Sequence, residues 1–311
     1  MREIISMKTF IRLAAAAMVS LGASGVSAAD LDQGSLKDSS RSSYTTTVVA
    51  SDNVNWTGFY LGVHAGGGAG VAELNRYLRH DLDIWYGYEG DVETYPVATD
   101  AGRQDLDLGL EGLFAGVNVE YKFQRGGFMF APFADIELSS FEGSADYSRN
   151  IVLHGEDEDY GILAERGHVD LEQKWSGTAG VKAGFLLNQR TWVYGLLGAT
   201  WAEFDLEGGS DFVLLDGEDL PFPSSRYSTS ETVFGVTVGA GIETRIGEKT
   251  TLSLEGRYTD FDSISAKFGG TNSIDFSEGR GYYGANTSTH ESVSVDPRIW
   301  TVRAGLKWDL N

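Results

Sequence analysis

The sequence predicts an all-β protein: one eight-stranded antiparallel transmembrane β-barrel of up-and-down topology with long extracellular loops. Segments of about ten residues alternate apolar with polar or small side chains, which is the period of a pleated strand. Short and long connections between these segments alternate strictly. Beyond the N-terminal segment, the sequence has no run of about 20 apolar residues that could cross a membrane as a helix. In lipid, a closed barrel is the other structure that satisfies every backbone group.

The N-terminal region predicts export. Basic residues precede the short apolar run 13–21, and Val26-Ser27-Ala28 offers small side chains for cleavage. The stretch that follows is rich in Ser, Thr and Asp and has no apolar period, which is typical of a flexible segment. The predicted organisation is a signal peptide over 1–28, a flexible periplasmic linker over 29–54 and an outer-membrane barrel over 55–311.

Eight segments carry the strand pattern. In the first, Phe59 and Leu61 fall on one face, whereas Tyr60 and His64 fall on the other. The last, over 299–310, alternates in the same way. The six between them lie near 110–123, 127–140, 172–187, 191–205, 232–246 and 250–266. In the fifth segment both faces are apolar, so the inward face of that strand stays open.

The connections predict the orientation. The three short ones are Gln124-Arg125-Gly126, Asn188-Gln189-Arg190 and Gly247-Glu248-Lys249. The four long ones span about 69–109, 141–171, 206–231 and 267–298, and they hold essentially the whole net charge of −21. Transmembrane barrels of this kind have short periplasmic turns and longer external loops. Both termini are therefore expected on the periplasmic side, with acidic loops outside.

Charged side chains alternate with the apolar positions and are expected to point inward, because a charge facing lipid near the midplane costs about 2–4 kcal/mol. An eight-stranded barrel is just wide enough to be filled by its own side chains. We therefore expect an ion-pair network that fills the lumen, and a narrow wet channel is the alternative. The predicted members are Glu120, Lys122, Asp135, Glu137, Lys174, Lys182, Glu243, Arg245, Glu255, Arg257, Arg303 and Lys307.

Aromatic residues near the predicted strand ends are expected to form the two interfacial girdles of a membrane barrel. They are Trp56, Tyr60, Tyr121, Phe123, Phe128, Trp175, Trp192, Tyr194, Tyr258, Trp300 and Trp308.

The composition excludes several functions. The chain has no Cys, so disulfides, thiolate metal sites and lipid attachment through cysteine are absent. Its acidic charge disfavours nucleic acid as a partner. Its scattered His residues form no catalytic or metal-binding motif, so no enzyme activity, cofactor or metal is predicted. The aromatic residues Trp85, Tyr86 and Tyr88 of the first long connection are a candidate recognition surface.

The stretch from Asn55 to Gly67 (NWTGFYLGVHAGG) and the closing RIWTVRAGL over 298–306 resemble the opacity-type small outer-membrane barrels of alphaproteobacteria, often called porin-family proteins. This resemblance implies an abundant structural protein of the outer membrane, in a family where some members are credited with adhesion, haem binding or limited diffusion. The chain departs from the family by ending on Asn311 instead of an aromatic residue.

The expected function is a structural and surface role that contributes to envelope integrity and surface interactions. A narrow porin for small solutes is the alternative, and a haem-binding or adhesin barrel is the third hypothesis. The expected partners are outer-membrane lipid and lipopolysaccharide, the barrel-assembly machinery, and a host or envelope surface ligand.

Overall fold

The computed structural model describes residues 55–88, 91–154, 159–214, 224–278 and 281–311. The predicted signal peptide and linker lie outside the described residues. Within the described part, no helix is long and apolar enough to cross a membrane. The strands are β1 (Gly58–Tyr88), β2 (Asp91–Arg125), β3 (Phe128–His154), β4 (Asp159–Asn188), β5 (Thr191–Leu214), β6 (Ser225–Arg245), β7 (Thr250–Phe261), β8 (Ile264–Glu278) and β9 (Gly281–Asp309).

The strands close into an antiparallel ring. Each strand from β1 to β6 pairs with the next, β7 pairs with β9, and β9 pairs with β1. Strand β8 pairs with the part of β9 that lies beyond its contact with β7. Because β7 and β8 occupy one position in the ring, the nine strands form the eight-stranded barrel that the sequence predicts.

The break between β7 and β8 is a local irregularity of the ladder. Asp260 pairs with Arg298 and Ile264 pairs with Val295, so three residues on one strand oppose two on the other. Pro297 lies opposite the break, and proline has no N–H to donate to a ladder. The extra residue therefore falls where pairing is already weakened.

The three short connections lie at one end of the barrel, as predicted. Arg125 pairs with Phe128, which leaves Gly126-Gly127 as a two-residue turn. Gly126 has φ 62°, a left-handed conformation that glycine adopts without steric cost. Leu310 N donates to Phe59 O at 2.9 Å, so the two ends of the described barrel meet at this same rim.

An apolar belt surrounds the barrel next to this rim. It consists of the outward-facing side chains of every strand that contributes to the closed part of the ring. Phe59 packs against Tyr121 at one level, and Tyr258 packs against Trp300 at another. Other exposed members are Leu61, Val63, Leu113, Val117, Ile136, Leu138, Val181, Phe185, Leu197, Trp201, Phe234, Val238, Leu252 and Leu306.

Most of the residues expected in long loops belong instead to strands, and this expectation is wrong. The ladder between β1 and β2 continues from Gly58–Lys122 to Tyr88–Asp91, and β1 alone has 31 residues. About ten residues suffice for a strand to cross a membrane. The reason is visible in the burial pattern, because every second residue from Ala72 to Leu82 is buried and the residues between them are exposed or partly exposed.

Beyond the apolar belt the ring divides into two four-stranded sheets. The ladder between β2 and β3 ends at Glu111–Glu142, and the ladder between β6 and β7 ends at Gly235–Phe261. Further out, the order is β2-β1-β9-β8 in one sheet and β3-β4-β5-β6 in the other. Among the described residues, no ladder joins these outer sheets across either seam.

The fifth segment, whose facing the sequence leaves open, is resolved by burial. Trp192, Tyr194 and Leu196 point into the barrel, whereas Leu197 and Trp201 are exposed on its outside. Two aromatic residues of this strand are thus inside, together with Trp56 and Tyr60, which are also fully or almost fully buried. For these four residues the expected girdle position is wrong.

Candidate functional site in the barrel lumen

Ten buried charges fill the lumen inside the apolar belt. Each occupies an inward position of an alternating strand, so the pleat brings it to the barrel axis. Every one is at most 8% exposed. We call them the lumen charge network: Glu120, Asp135, Glu137, Glu243 and Glu255 balanced by Lys122, Lys182, Arg257, Arg303 and Lys307.

Near the rim with the short turns, which we expect to face the periplasm and therefore call the periplasmic end, lysines alternate with glutamates. Lys122 Nζ lies 3.0 Å from Glu120 Oε1 and 2.5 Å from Glu243 Oε2. Lys307 Nζ lies 2.9 Å from Glu120 Oε2 and also contacts Glu243. Lys182 Nζ lies 2.9 Å from Glu255 Oε2 and so connects this group to the next level. Each ammonium thus has at least one carboxylate partner, which offsets the cost of removing it from water.

Further in, the basic side chains are arginines. Arg257 Nη2 lies 2.7 Å from Asp135 Oδ2, and its Nε lies 2.5 Å from Glu255 Oε1. Arg303 Nη1 lies 3.1 Å from Glu137 Oε2. Charge-assisted bonds of this kind are stronger than neutral ones and hold the partners in defined positions.

His64 also lies at this level of the lumen, although it was not among the predicted members of the network. Its Nε2 lies 3.1 Å from Glu137 Oε2 and 3.4 Å from Arg303 Nη1. The sequence placed His64 on the inward face, but an expectation built on charged residues alone did not include it. Its position opposite Glu137, two strands away, is set by the ring and is not visible in a local motif.

The four inward aromatic residues close the periplasmic mouth. Lys122 Nζ lies 4.0 Å from the ring centre of Tyr60 and 4.8 Å from that of Trp56, distances typical of cation–π contacts. Trp56 Nε1 donates to Gln189 O at 3.1 Å, although Gln189 lies in the turn between β4 and β5. Trp56 therefore reaches from the start of β1 to a turn that is several strands away around the ring.

Two predicted network members lie elsewhere. Arg245 is at the periplasmic rim, where its Nη2 lies 3.1 Å from Asp309 Oδ2 and donates to Tyr60 Oη at 2.5 Å. The prediction for Lys174 is wrong: its side chain is 42% exposed and pairs with Glu172 at 2.6 Å on the outer surface. Lys174 is the extra residue of a bulge between Gln173 and Trp175, which reverses the facing of every position beyond it.

The network leaves little free space. The cavity enclosed by its side chains has a volume of about 20 Å³ and is lined by residues that include His64, Asn118, Lys182 and Arg303. A cavity needs about 10–15 Å³ of accessible volume to hold a single water molecule. The charged level of the lumen is thus nearly solid.

An apolar layer lies beyond the charges. Phe114 stacks on Phe141 with ring centres 6.2 Å apart, and Phe204 packs edge-on against Phe261 at 5.2 Å. The layer fills the space where the ring divides into the two outer sheets. Its further members include Ala72, Leu74, Leu108, Leu110, Val169, Leu171, Leu206, Ile264, Val293, Val295 and Ile299.

A second buried polar group, the outer cluster, joins the two outer sheets above the apolar layer. Arg76 of β1 contacts Glu291 of its own sheet and Glu165 of the opposite sheet. Its Nη2 also donates to Ser210 Oγ at 2.8 Å, and its guanidinium lies 4.3 Å from the ring centre of Tyr147. One arginine side chain therefore bridges strands of both sheets.

His80 lies in the same interior, further from the membrane. Its Nδ1 is 3.0 Å from Thr289 Oγ1, and its ring packs edge-on against Phe212 at 4.6 Å. Burial first, and then the positive charges of Arg149 and Arg76, lower the pKa of His80 to about 4. His80 is therefore neutral at pH 7.

The predicted recognition surface is described only in part. Trp85 is half-buried near the outer end of β1. Tyr86 and Tyr88 belong to the same strand, but their side chains lie outside the described residues. In the part of the chain that the structure describes, no group of three or more His, Asp or Glu could hold a metal ion.

Comparison with known proteins agrees with this architecture. The sequence model of the family described as "Outer membrane protein beta-barrel domain" matches residues 140–307, more than half of the chain. The 31 kDa outer-membrane immunogenic protein of Brucella melitensis biotype 1 is 28% identical over 218 residues, which cover 69% of this chain and 75% of that protein. The protein of the same name from Brucella suis biovar 1 matches equally well.

Solved structures of outer-membrane proteins also match. The outer membrane protease OmpT from Escherichia coli is 10% identical with a TM-score of 0.31, over 80% of this chain and 97% of that one. Ail, the attachment invasion locus protein of Yersinia pestis, is 11% identical with a TM-score of 0.25, over 79% and 98%. Neither likeness identifies a function. The family model matches more than half of the chain, and the structure is a closed ring with an apolar belt. This chain therefore belongs to the outer membrane β-barrel family and is a protein of the Gram-negative outer membrane.

Proposed function

We propose that this protein is a non-conducting structural barrel that contributes to the integrity of the outer membrane and presents a polar surface outside it. The observation that carries the proposal is the filling of the lumen by two successive layers of opposite character. The lumen charge network leaves a cavity of about 20 Å³, and the apolar layer follows directly beyond it.

The two layers oppose ion passage for different reasons. An ion entering the charged level would have to displace ammonium and carboxylate groups that already pair with each other. An ion entering the apolar layer would lose its hydration shell without gaining a polar partner, which is how hydrophobic constrictions block channels. The narrow-porin alternative would require both layers to move.

The proposal assigns no catalytic step to the chain. A serine, a histidine and a carboxylate do meet in the lumen, where Ser176 Oγ donates to Glu137 Oε1 at 2.9 Å. However, His64 Nε2 contacts the other oxygen of the same carboxylate, so the carboxylate separates the serine from the imidazole. A histidine in that position is unsuited to remove the proton of the serine hydroxyl.

Conductance tests the proposal directly. The full-length chain, refolded and inserted into a planar bilayer, should give no discrete openings at either polarity. A variant that removes part of both layers, with Leu74→Ala, Phe114→Ala and Phe141→Ala in the apolar layer and Glu137→Ala and Arg303→Ala in the lumen charge network, is expected to leak. The control variant Leu113→Ala with Leu138→Ala removes large side chains from the outer surface instead. Discrete openings of the native chain would overturn the proposal in favour of a narrow porin.

The envelope role is tested in cells. A strain that lacks the gene should become more sensitive to detergents and to large hydrophobic antibiotics, and the native chain should restore resistance. We also propose that the barrel-assembly machinery inserts the chain and that lipid surrounds its apolar belt. Unchanged sensitivity of the deletion strain would contradict a role in envelope integrity.

A further inference from the structure

An open cleft lies on the outward face of the sheet β2-β1-β9-β8, beyond the apolar belt. Its volume is about 440 Å³, within the range of sites that bind small molecules or sugars. It is lined by residues of three neighbouring strands, including Tyr77 of β1, His290 and Ser292 of β9, and Lys267 and Gly269 of β8. We call it the outer cleft.

The register of the sheet explains how the cleft arises. Tyr77 pairs with Ser292, and Ser292 pairs with Lys267, so these three residues form one row across the sheet. In the next row outward, His290 pairs with Gly269. The small residues Ser292 and Gly269 form the floor, while the three larger side chains stand around it.

Gly269 keeps the floor open. A Cβ atom at this position would lie 3.1 Å from His290 Nδ1 and 2.8 Å from the backbone oxygen of Thr289. Any larger residue would therefore push the imidazole away and fill the cleft. The edge strand itself is fixed from the other side, because Phe268 stacks on Tyr227 of β6 with ring centres 4.2 Å apart.

The chemistry of the rim suits an anionic sugar. Tyr77 is 44% exposed and offers a flat apolar face with a polar tip, a side chain that packs well against sugar rings. Lys267 is exposed, and none of the described carboxylates forms an ion pair with it. By contrast, Arg79 pairs with Asp81, and Arg298 pairs with Glu73. On this acidic protein, the cleft keeps an available positive charge beside an aromatic ring.

The height of the cleft indicates where the sugar comes from. Tyr77 lies six residues beyond Val71, an exposed apolar side chain at the outer edge of the belt on β1. Six residues of a tilted strand rise about 15 Å above that edge. This is the level of the phosphate- and carboxylate-bearing sugars of lipopolysaccharide in the surrounding leaflet. We propose that the outer cleft binds an anionic saccharide of the lipopolysaccharide head group, which deepens the surface role proposed above.

Binding is measured on the full-length chain in a neutral detergent. The probe is the deacylated, phosphorylated oligosaccharide of lipopolysaccharide, titrated by calorimetry. The same oligosaccharide, enzymatically dephosphorylated and with its carboxylates converted to amides, is the neutral control. We expect the phosphorylated probe to bind and the dephosphorylated one to bind at least tenfold more weakly. Equal affinity for the two would overturn the proposal, because the charge of Lys267 would then have no role.

Variants locate the site. Lys267→Gln and Tyr77→Ala should each weaken binding about five- to tenfold, since each loses roughly one charge-assisted or stacking contact. Arg226→Gln is the matched control, because Arg226 is an exposed cation of the opposite sheet. All three positions are exposed, so barrel folding should be preserved, and the heat-dependent gel mobility of each variant checks this. Equal losses in the control and the cleft variants would refute the assignment.

The source of the sugar is tested in vesicles. When the protein is inserted into vesicles that contain lipopolysaccharide, the cleft should already be occupied and the soluble oligosaccharide should no longer bind. In vesicles of phospholipid alone it should bind as in detergent. Undiminished binding in the presence of lipopolysaccharide would overturn the proposal, since it would point to a glycan presented from outside. Conductance is independent of this result, so failure here leaves the non-conducting barrel untouched.

Discussion

Lys122 and Lys174 both form ion pairs, but Lys122 is buried in the lumen and Lys174 is exposed on the outer surface. The side chain of Lys122 is 0% exposed and contacts two carboxylates and three aromatic rings. Lys174 is 42% exposed and pairs with carboxylates on the outside. Removing one partner of a buried pair leaves an uncompensated charge, whereas an exposed pair is screened by water.

We therefore expect Lys122→Met to lower the free energy of unfolding by about 3–5 kcal/mol and Lys174→Met to change it by less than about 1 kcal/mol. Urea unfolding of the barrel in lipid vesicles, followed by Trp fluorescence, measures both. Equal effects of the two substitutions would mean that the lumen charges are solvated, as in a wet pore.

The same pair of residues shows how far sequence reasoning reaches at this scale. Alternation placed Lys122 inside correctly because β2 keeps a period of two through the belt. It misplaced Lys174 because one bulge shifts the period, and a bulge leaves no mark in the pattern of residue types. Trp56 and Trp192 were assigned to girdles by residue type, but their rings are buried, and their indole N–H groups donate to Gln189 O in a turn and to Glu243 in the lumen.

His80 gives the outer sheets a pH dependence. Its folded pKa of about 4 lies below the ordinary value of 6.5, so the unfolded chain takes up the proton first as the pH falls. The contribution of neutral His80 to the free energy of unfolding is fully present above pH 6.5. It is lost as the pH falls from 6.5 to 4, which lowers the free energy of unfolding by about 3 kcal/mol. The protection factors of amides in the outer sheets, corrected for the intrinsic exchange rate at each pH, should fall accordingly, and His80→Gln should reduce this pH dependence.

Two comparisons make the result specific. His290→Gln changes an exposed histidine of the neighbouring strand and should leave the pH dependence unchanged. Burial raises the pKa of Glu291, and that shift acts in the opposite sense, so native and variant proteins are compared at each pH. The same loss of protection at acid pH in native protein and His80→Gln would contradict the role of His80.

Among the elements, the long strands show where charge and periodicity compete in the sequence. The acidic residues of 69–109 suggested solvated loops, yet Leu74, Leu78, Leu108 and Leu110 continue the inward period and are buried. Glu73, Asp105 and Asp107 occupy exposed outward positions, where a strand beyond the membrane faces water. The negative charge of this segment therefore belongs to the outward face of the strands. Counting charge without regard to facing led to the prediction of a loop where β1 and β2 continue.

The outer cluster is expected to hold the two outer sheets together. Arg76→Met should leave Glu165 and Glu291 buried without their cation, at a cost of about 3–5 kcal/mol to the outer sheets. Hydrogen exchange should increase in the outer sheets while the amides inside the apolar belt stay protected.

Arg79→Met is the matched control, because Arg79 is three residues along the same strand, faces outward and pairs with Asp81 at 3.0 Å with half of its side chain exposed. Uniform destabilisation of the whole barrel by Arg76→Met would show that the outer sheets and the transmembrane ring unfold as one unit. Local opening would show that they are separate layers.

For the whole molecule, the alternation of connections predicted the closed ring that the structure shows, and it also predicts the orientation of that ring. An epitope inserted between Gln189 and Arg190 should be hidden from antibody in intact cells, because that turn lies at the periplasmic rim. An epitope inserted between β5 and β6 should be accessible. Labelling of intact cells measures both, and the reverse pattern would invert the topology.

What the sequence did not predict at this scale is the division of the ring into two outer sheets. Local alternation states which face of a strand is buried but not which neighbour it pairs with at each height. The ladders end at Glu111–Glu142 and at Gly235–Phe261, and these points depend on packing between strands that are distant in sequence.

The length of β1 determines how far the barrel extends beyond the membrane. From Val71 to Tyr88 the strand continues for 17 residues, or about 40 Å of height at the usual tilt. Because the outer sheets are paired and packed, this height is a rigid spacer rather than a tether. The outer end of β1 at Tyr88 therefore stands well beyond the apolar belt, and strand pairing fixes that distance. Strand length, and not loop sequence, thus sets the reach of the protein.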